Sequence, residues 1–284
     1  MANYYCLMAG LPDLRQGDAQ PPLTLLDMKE QLRDIVGGAD ARLVQTYFLR
    51  FDSANLAAML ANPDTPGAGT DERGNYSRDE LLQLIEEARA TEAPVKGYPP
   101  FLADIVRTYD ERAAQPGWFA ADAALLAYYD HARRCPNAMM AEWYELNFNI
   151  LNILTALIAR RQGWPVADYV QGRGPVADAL RRQAAQPDFG LGAELDYMPA
   201  LMRAADNADP VEKERSIDTL RWAWLEERTF FNPFDITALM AYLARTEILE
   251  RWAMLDPEQG RHRFTQIIDN LRSEARVPEE FVRR

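Results

Sequence analysis

Helix start and stop signals recur along this sequence from Thr24 onward and leave little room for a sheet. Residues 25–36 carry apolar side chains at helical spacing and run into Gly37-Gly38, a pair suited to a helix C-terminus because glycine enters the left-handed region without a Cβ clash. Asp40 is placed to cap the next helix, which presents Leu43, Val44, Tyr47 and Phe48 on one face, and Ser53 predicts the start of a third, short helix. Ser77 and Glu80 have capping-box spacing and predict a helix to about residue 90. Further helices are predicted over 100–114, 120–134 and 137–162, the last stopped by Gly163 and Pro165. The same signals place helices over 175–185, 194–205, 210–229, 233–255 and 257–276. Several of these open on a proline, which a first turn accepts because its N–H has no intrahelical partner.

Only residues 4–9 have strand-like content, and a lone strand makes no sheet. The expected fold class is therefore all-α: multi-helix bundle modules with one short extended N-terminal segment packed on helices. Residues 62–76 are rich in Pro and Gly without an apolar period and read as an exposed loop. The stretch 163–175, with its glycines and prolines, is the best boundary, dividing the chain into N-terminal module(s) 1–163 and a C-terminal module 164–284. Residues 149–157, NILNILTAL, also align with residues 247–255, EILERWAML, as two copies of a helical module would, although two amphipathic helices share such spacing without common ancestry.

The 284 residues, 48% hydrophobic and 26% charged, suffice for a large core. The longest apolar run, 148–159, is interrupted by Asn149 and Asn152 and is short of the roughly 20 residues of a membrane span. With no basic, apolar, small-residue leader at the N-terminus, the expected location is the cytoplasm. Cys6 and Cys135 lack metal or redox spacing and read as structural thiols. A net charge of −12 disfavours nucleic acid and direct adhesion to anionic lipid, while suiting solubility or a basic protein partner.

Catalytic patterns fail in turn. The two histidines, His131 and His262, lie among charged residues and read as surface positions. No serine-elbow, Walker or dinucleotide-binding loop is present; the glycines around residue 70 sit beside Asp64, Asp71 and Glu72, which repel phosphate. Glu142 and Glu145 resemble half of a carboxylate metal site, but neither histidine follows a glutamate at the required spacing. No catalytic, cofactor-binding or metal residue is expected. Aromatic residues near arginines are the remaining signal, as such pairs are enriched where proteins meet. Ile217, Leu220 and Trp224 share one helical stripe while Trp222 points elsewhere, so Trp222, with Arg251 and Trp252, is the candidate interface or inter-helix position.

Three segments carry a family resemblance: NYYCLMAGLPDL at 3–14, WYELNFNILNILTALIARRQG at 143–163 and NPFDITALMAYLARTEILERWAMLDPEQG at 232–260. Together they resemble a bacterial branch related to the C-type stalk subunits of V/A-type ATPases, whose eukaryotic counterparts are the d-type subunits. The resemblance covers the two ends and the middle, in a chain shorter than is usual for the C type. It implies a non-catalytic central-stalk connector without cofactor, linking D- and F-type stalk subunits to the proteolipid ring and associated peripherally with the inner membrane. The competing expectations are a helical scaffold outside any ATPase and an enzyme with an unrecognised carboxylate site.

Overall fold

The computed structural model describes residues 4–65 and 67–254; 66% of these residues are helical and none is in a strand. The all-α expectation holds, at about twice the usual helix share of globular chains. In chain order the helices are α1 (Tyr5–Gly10), α2 (Leu25–Ile35), α3 (Gly38–Ala61), α4 (Arg78–Ala90), α5 (Pro100–Arg112), α6 (Ala120–Ala132), α7 (Ala138–Arg161), α8 (Val166–Tyr169), α9 (Pro175–Arg182), α10 (Met198–Asp206), α11 (Pro210–Thr229) and α12 (Ile236–Met254). The helix expected over 257–276, with Gly260 and His262, lies outside the described residues.

Local capping chemistry explains most boundaries. The Ser77 hydroxyl accepts from Glu80 N at 3.3 Å while the Glu80 carboxylate accepts from Ser77 N at 2.7 Å, so two N–H groups at the start of α4 are satisfied reciprocally. Thr24 and Asp27 do the same for α2, and Asn137 accepts from Met140 N at 3.0 Å to open α7. α12 begins at Ile236 and not at Pro233, because the Asp235 carboxylate accepts from Ala238 N at 3.0 Å and makes Asp235 the cap. α10 likewise starts later than residue 194: Asp188 gathers the N–H groups of Gly190 and Gly192 at 3.0 and 3.1 Å, holding the preceding residues in turns.

Three expectations are corrected. The N-terminal segment is helical and not extended: with no strand to pair with, it closes i→i−4 bonds in the short α1, Met8 N–H donating to the Tyr4 carbonyl at 2.8 Å and Leu11 N–H to the Leu7 carbonyl at 3.1 Å. It is tethered at Tyr4, whose N–H donates to the Phe234 carbonyl at 2.9 Å and whose hydroxyl donates to Asp40 at 2.7 Å. Asp40, occupied by Tyr4, does not cap α3; Gly37 stands at the N-cap and Gly38 takes φ +61 as the first helical residue. Ser53 starts no new helix, since its hydroxyl donates back to the Leu49 carbonyl at 2.8 Å and α3 runs on unbroken for 24 residues.

α3, α7 and α12 are buried on most faces. One hydrophobic cluster extends from Tyr4 to Ala244 and takes in Ile150 and Ile153 of α7, Leu180 of α9 and Leu239 and Leu243 of α12. Residues on both sides of 163–175 thus share a core, and α12 packs against α2 as well as α7 and α11. His131 departs from the surface position expected: it is half-buried with its ring stacked on Phe101 at 4.5 Å.

The loop after α3 is partly exposed but firmly anchored. Asn55 donates to the Asp71 carbonyl at 2.9 Å and accepts from Asp71 N at 3.0 Å. Asp52, fully buried, accepts from Tyr76 N at 2.9 Å and from the Asn75 amide at 2.8 Å. Gly69 seats the loop on α3 with φ +69, where an added Cβ would stand 2.4 Å from Met59 Cγ and 2.6 Å from the Asn55 carbonyl. Gly69→Ala therefore combines a strained backbone with a steric clash and should cost about 2 kcal/mol or more in chemical denaturation, whereas Gly67→Ala, with open space and ordinary φ, should stay within about 0.5 kcal/mol. Equal effects at the two positions would refute this packing.

Burial, reinforced by the nearby Arg134 charge, depresses the His131 pKa. A histidine that is harder to protonate folded than unfolded contributes stability above the unfolded pKa of about 6.5 and loses it as pH falls through the lower folded value. NMR titration should place the His131 midpoint below about 6.5, and His131→Phe should reduce the loss of stability on the acid side of that value. A midpoint at or above the unfolded value would contradict the burial argument.

Candidate functional site

α12 is apolar for most of its length yet carries Arg245, Glu247, Glu250 and Arg251. A charge on a buried helix must find partners, and all four tie α12 to other parts of the chain, Arg245 by donating to the Thr229 hydroxyl of α11 at 3.4 Å. Glu250, 8% exposed, accepts from Leu25 N at 2.6 Å, with the Arg73 guanidinium 3.7 Å from its other oxygen. Leu25 is the first residue of α2, so the carboxylate satisfies an otherwise unpaired N–H and sits where the helix dipole favours negative charge. Burial nevertheless pushes the Glu250 carboxyl above its ordinary range, outweighing that hydrogen bond and Arg73. One turn earlier, Glu247 accepts from the Tyr47 hydroxyl and pairs with the Arg50 guanidinium, both from α3.

The second centre is Asp218 of α11, only 1% exposed. One carboxylate oxygen accepts from Arg221 at 3.0 Å; the other takes the Trp252 indole N–H at 2.9 Å and the Arg251 guanidinium. Arg221 in turn donates from Nε to Asn147 Oδ1 of α7 at 2.8 Å. Among α3, α6, α7, α11 and α12 lies a cleft of about 240 Å³, whose walls include these charged groups and Tyr47, Tyr128, Tyr129 and Tyr144. Burial, with the Glu247 charge adding to it, holds the Tyr47 phenol well above its ordinary pKa, and burial does the same at Tyr144. These phenols keep their protons at neutral pH.

Two larger hollows have other chemistry. One of about 630 Å³ is bordered by Arg42, His131, Arg134 and Cys135. Burial raises the Cys135 thiol and lowers the His131 imidazole, the opposite of what an activated thiolate–imidazolium pair requires. Another of about 490 Å³ is walled largely by alanines, with Phe119 at its rim.

The candidate interface residues part company. Trp222 is 3% exposed, packed against Ile248 and Leu249 of α12, and its indole N–H donates to Glu226 at 2.8 Å, so it occupies the inter-helix position of the two expected. Arg251 and Trp252 converge on Asp218, while the Arg251 side chain remains 43% exposed. Glu142 and Glu145 form ion pairs with Arg228 at 3.0 Å and Arg133 at 2.8 Å. Sequence reasoning missed Asp218, Glu247 and Glu250. Their one signal was charge set at helical spacing within apolar surroundings, and on α11 the abundance of other charges masked it. It also missed Phe230 and Phe231, which stand 75% and 85% exposed at the end of α11, their rings edge to face at 5.0 Å. A second exposed aromatic pair, Trp164 and Tyr169, stacks at 5.2 Å after α7.

Because Asp218 is the buried partner of two guanidinium groups, Asp218→Asn should destabilise the fold by about 3 kcal/mol, the lower end of the range for breaking a buried pair, since Arg251 reaches solvent. Arg251→Ala should cost clearly less, because Arg221 and Trp252 still satisfy the carboxylate. Urea unfolding of the two variants checks the order, and the reverse order would contradict it.

The family model described as Protein of unknown function (DUF2764) matches residues 1–275. Comparison with curated proteins and with solved structures found no match in either. With a match over nearly its whole length, the chain belongs to the DUF2764 family.

Proposed function

We propose that this chain is a non-catalytic connector of a V-type ATPase, joining D- and F-type central-stalk subunits to the proteolipid ring. The observation that carries the reading is the exposed Phe230–Phe231 pair, set at the junction of α11 and α12, two helices cross-tied through Asp218. A stalk connector must hold a partner at a defined place and pass torque without bending. A pair of large rings on a cross-braced helix junction meets both requirements, since aromatic anchors dominate interface energies and lose little entropy on binding. Trp164 and Tyr169, on a different element, supply a second aromatic surface for a second partner. The resemblance of 3–14, 143–163 and 232–260 to the C-type stalk subunits supports the same assignment. Among the described residues no helix is long and apolar enough to cross a membrane, which agrees with peripheral attachment through the ring.

The test is a strain carrying Phe230→Ala with Phe231→Ala. Both side chains face solvent, so the purified variant should melt within a few degrees of the parent. Its recovery with stalk subunits should fall at least about 30-fold, the equivalent of about 2 kcal/mol lost at an aromatic anchor. Membranes from that strain should lose ion pumping while the detached soluble sector still hydrolyses ATP. Normal pumping after deletion of the whole chain would overturn the proposal and leave the scaffold reading.

A further inference from the structure

The 240 Å³ cleft has an imbalance that its own side chains do not resolve. Each guanidinium offers five N–H donors. Arg50 spends one nitrogen on Glu247, Arg221 spends Nε on Asn147 and one terminal nitrogen on Asp218, and Arg251 spends one on Asp218. The acceptors are already engaged: the two Asp218 oxygens take three donors, and each Glu247 oxygen takes one, from Arg50 or Tyr47. Three cations against two carboxylates leave the lining locally positive in a chain whose net charge is −12. Tyr144 lines the same cleft, 2% exposed, beside Tyr128, whose hydroxyl donates to the Tyr47 carbonyl at 3.4 Å.

We propose that this cleft binds a small phosphate-bearing anion, held by the free N–H groups of Arg50, Arg221 and Arg251. The missing partner must supply acceptors and negative charge. A tetrahedral phosphate presents oxygens in several directions at once, suiting guanidinium groups that arrive from α3, α11 and α12, whereas a single planar carboxylate matches one fork. The Arg50 guanidinium is also laid over the Phe51 ring, 4.8 Å from its centroid, which limits its orientations before any ligand arrives. The volume admits phosphate or a short phosphomonoester and lies below the range of about 300 Å³ upward that larger ligands occupy. This site is independent of the stalk reading and is tested on the purified chain alone.

Thermal unfolding is followed while inorganic phosphate replaces chloride at constant ionic strength. The melting temperature should rise with phosphate and follow the mass-action dependence expected of one site. Arg50→Gln should weaken binding by about tenfold or more, through loss of a charge-assisted contact. Arg89→Gln, which removes the same charge from the Arg89–Asp110 surface pair, should leave the phosphate response intact. Glycerol phosphate serves as the ester arm: tighter binding than phosphate assigns a phosphomonoester, and equal binding assigns the free ion. No saturable response beyond chloride, or equal behaviour of Arg50→Gln and Arg89→Gln, would overturn the site.

Discussion

Helices buried on most of their faces must still satisfy every polar group they carry, and this constraint shapes the chain. Asp52 and Asn55 of α3 hold the loop of residues 71–76. Asn152 of α7 brackets Gln171, donating to its carbonyl at 3.2 Å and accepting from its N–H at 2.8 Å. Glu250 of α12 receives the first N–H of α2, and Asp218 of α11 gathers two side chains from the end of α12. In each case a buried polar side chain fixes a segment distant in sequence. Removing either member would leave its partner buried and unpaired, at a cost above the modest net value of the bond itself.

The division between what sequence reveals and what it hides follows from the range of these interactions. The capping boxes of α2 and α4 and the Asn137 cap are settled within a few residues, so their boundaries were legible. Ser53 was misleading because a hydroxyl able to cap a helix can equally bond back to the preceding turn, and the packing of α3 decides between the two. Tyr4 and Tyr5 look like strand residues until their partners are known: a carbonyl at Phe234, a carboxylate at Asp40 and the Phe234 ring at 4.4 Å. None of those partners is local. The cleft was hidden for the same reason, as its lining comes from five helices, and Arg221 or Tyr144 has no distinguishing mark along the chain.

The alignment of 149–157 with 247–255 gains physical content in the folded chain. The apolar spacing that suggested it is common to many amphipathic helices, but the polar positions are not. Asn152 and Glu250 occupy equivalent places, both buried, and each binds backbone of a neighbouring segment, Asn152 at Gln171 and Glu250 at Leu25. Asn149 and Glu247, also equivalent, stand one turn before them. α7 and α12, which carry the two segments, pack against each other, with Leu255 outside the described residues.

α11 combines two demands that fold stability alone does not explain. Its middle is braced by Asp218, Trp222 and Leu225, all nearly inaccessible, while its end presents Phe230 and Phe231 to solvent. A turn between two helices is well served by polar residues or glycine, and two exposed phenylalanines add nothing to the burial that holds the helices together. Adjacent exposed rings also raise the tendency to associate, a liability that a net charge of −12 opposes. Such a pair is advantageous where another protein covers it. The bracing just behind then limits how far the rings can move, which is what the proposed connector role requires.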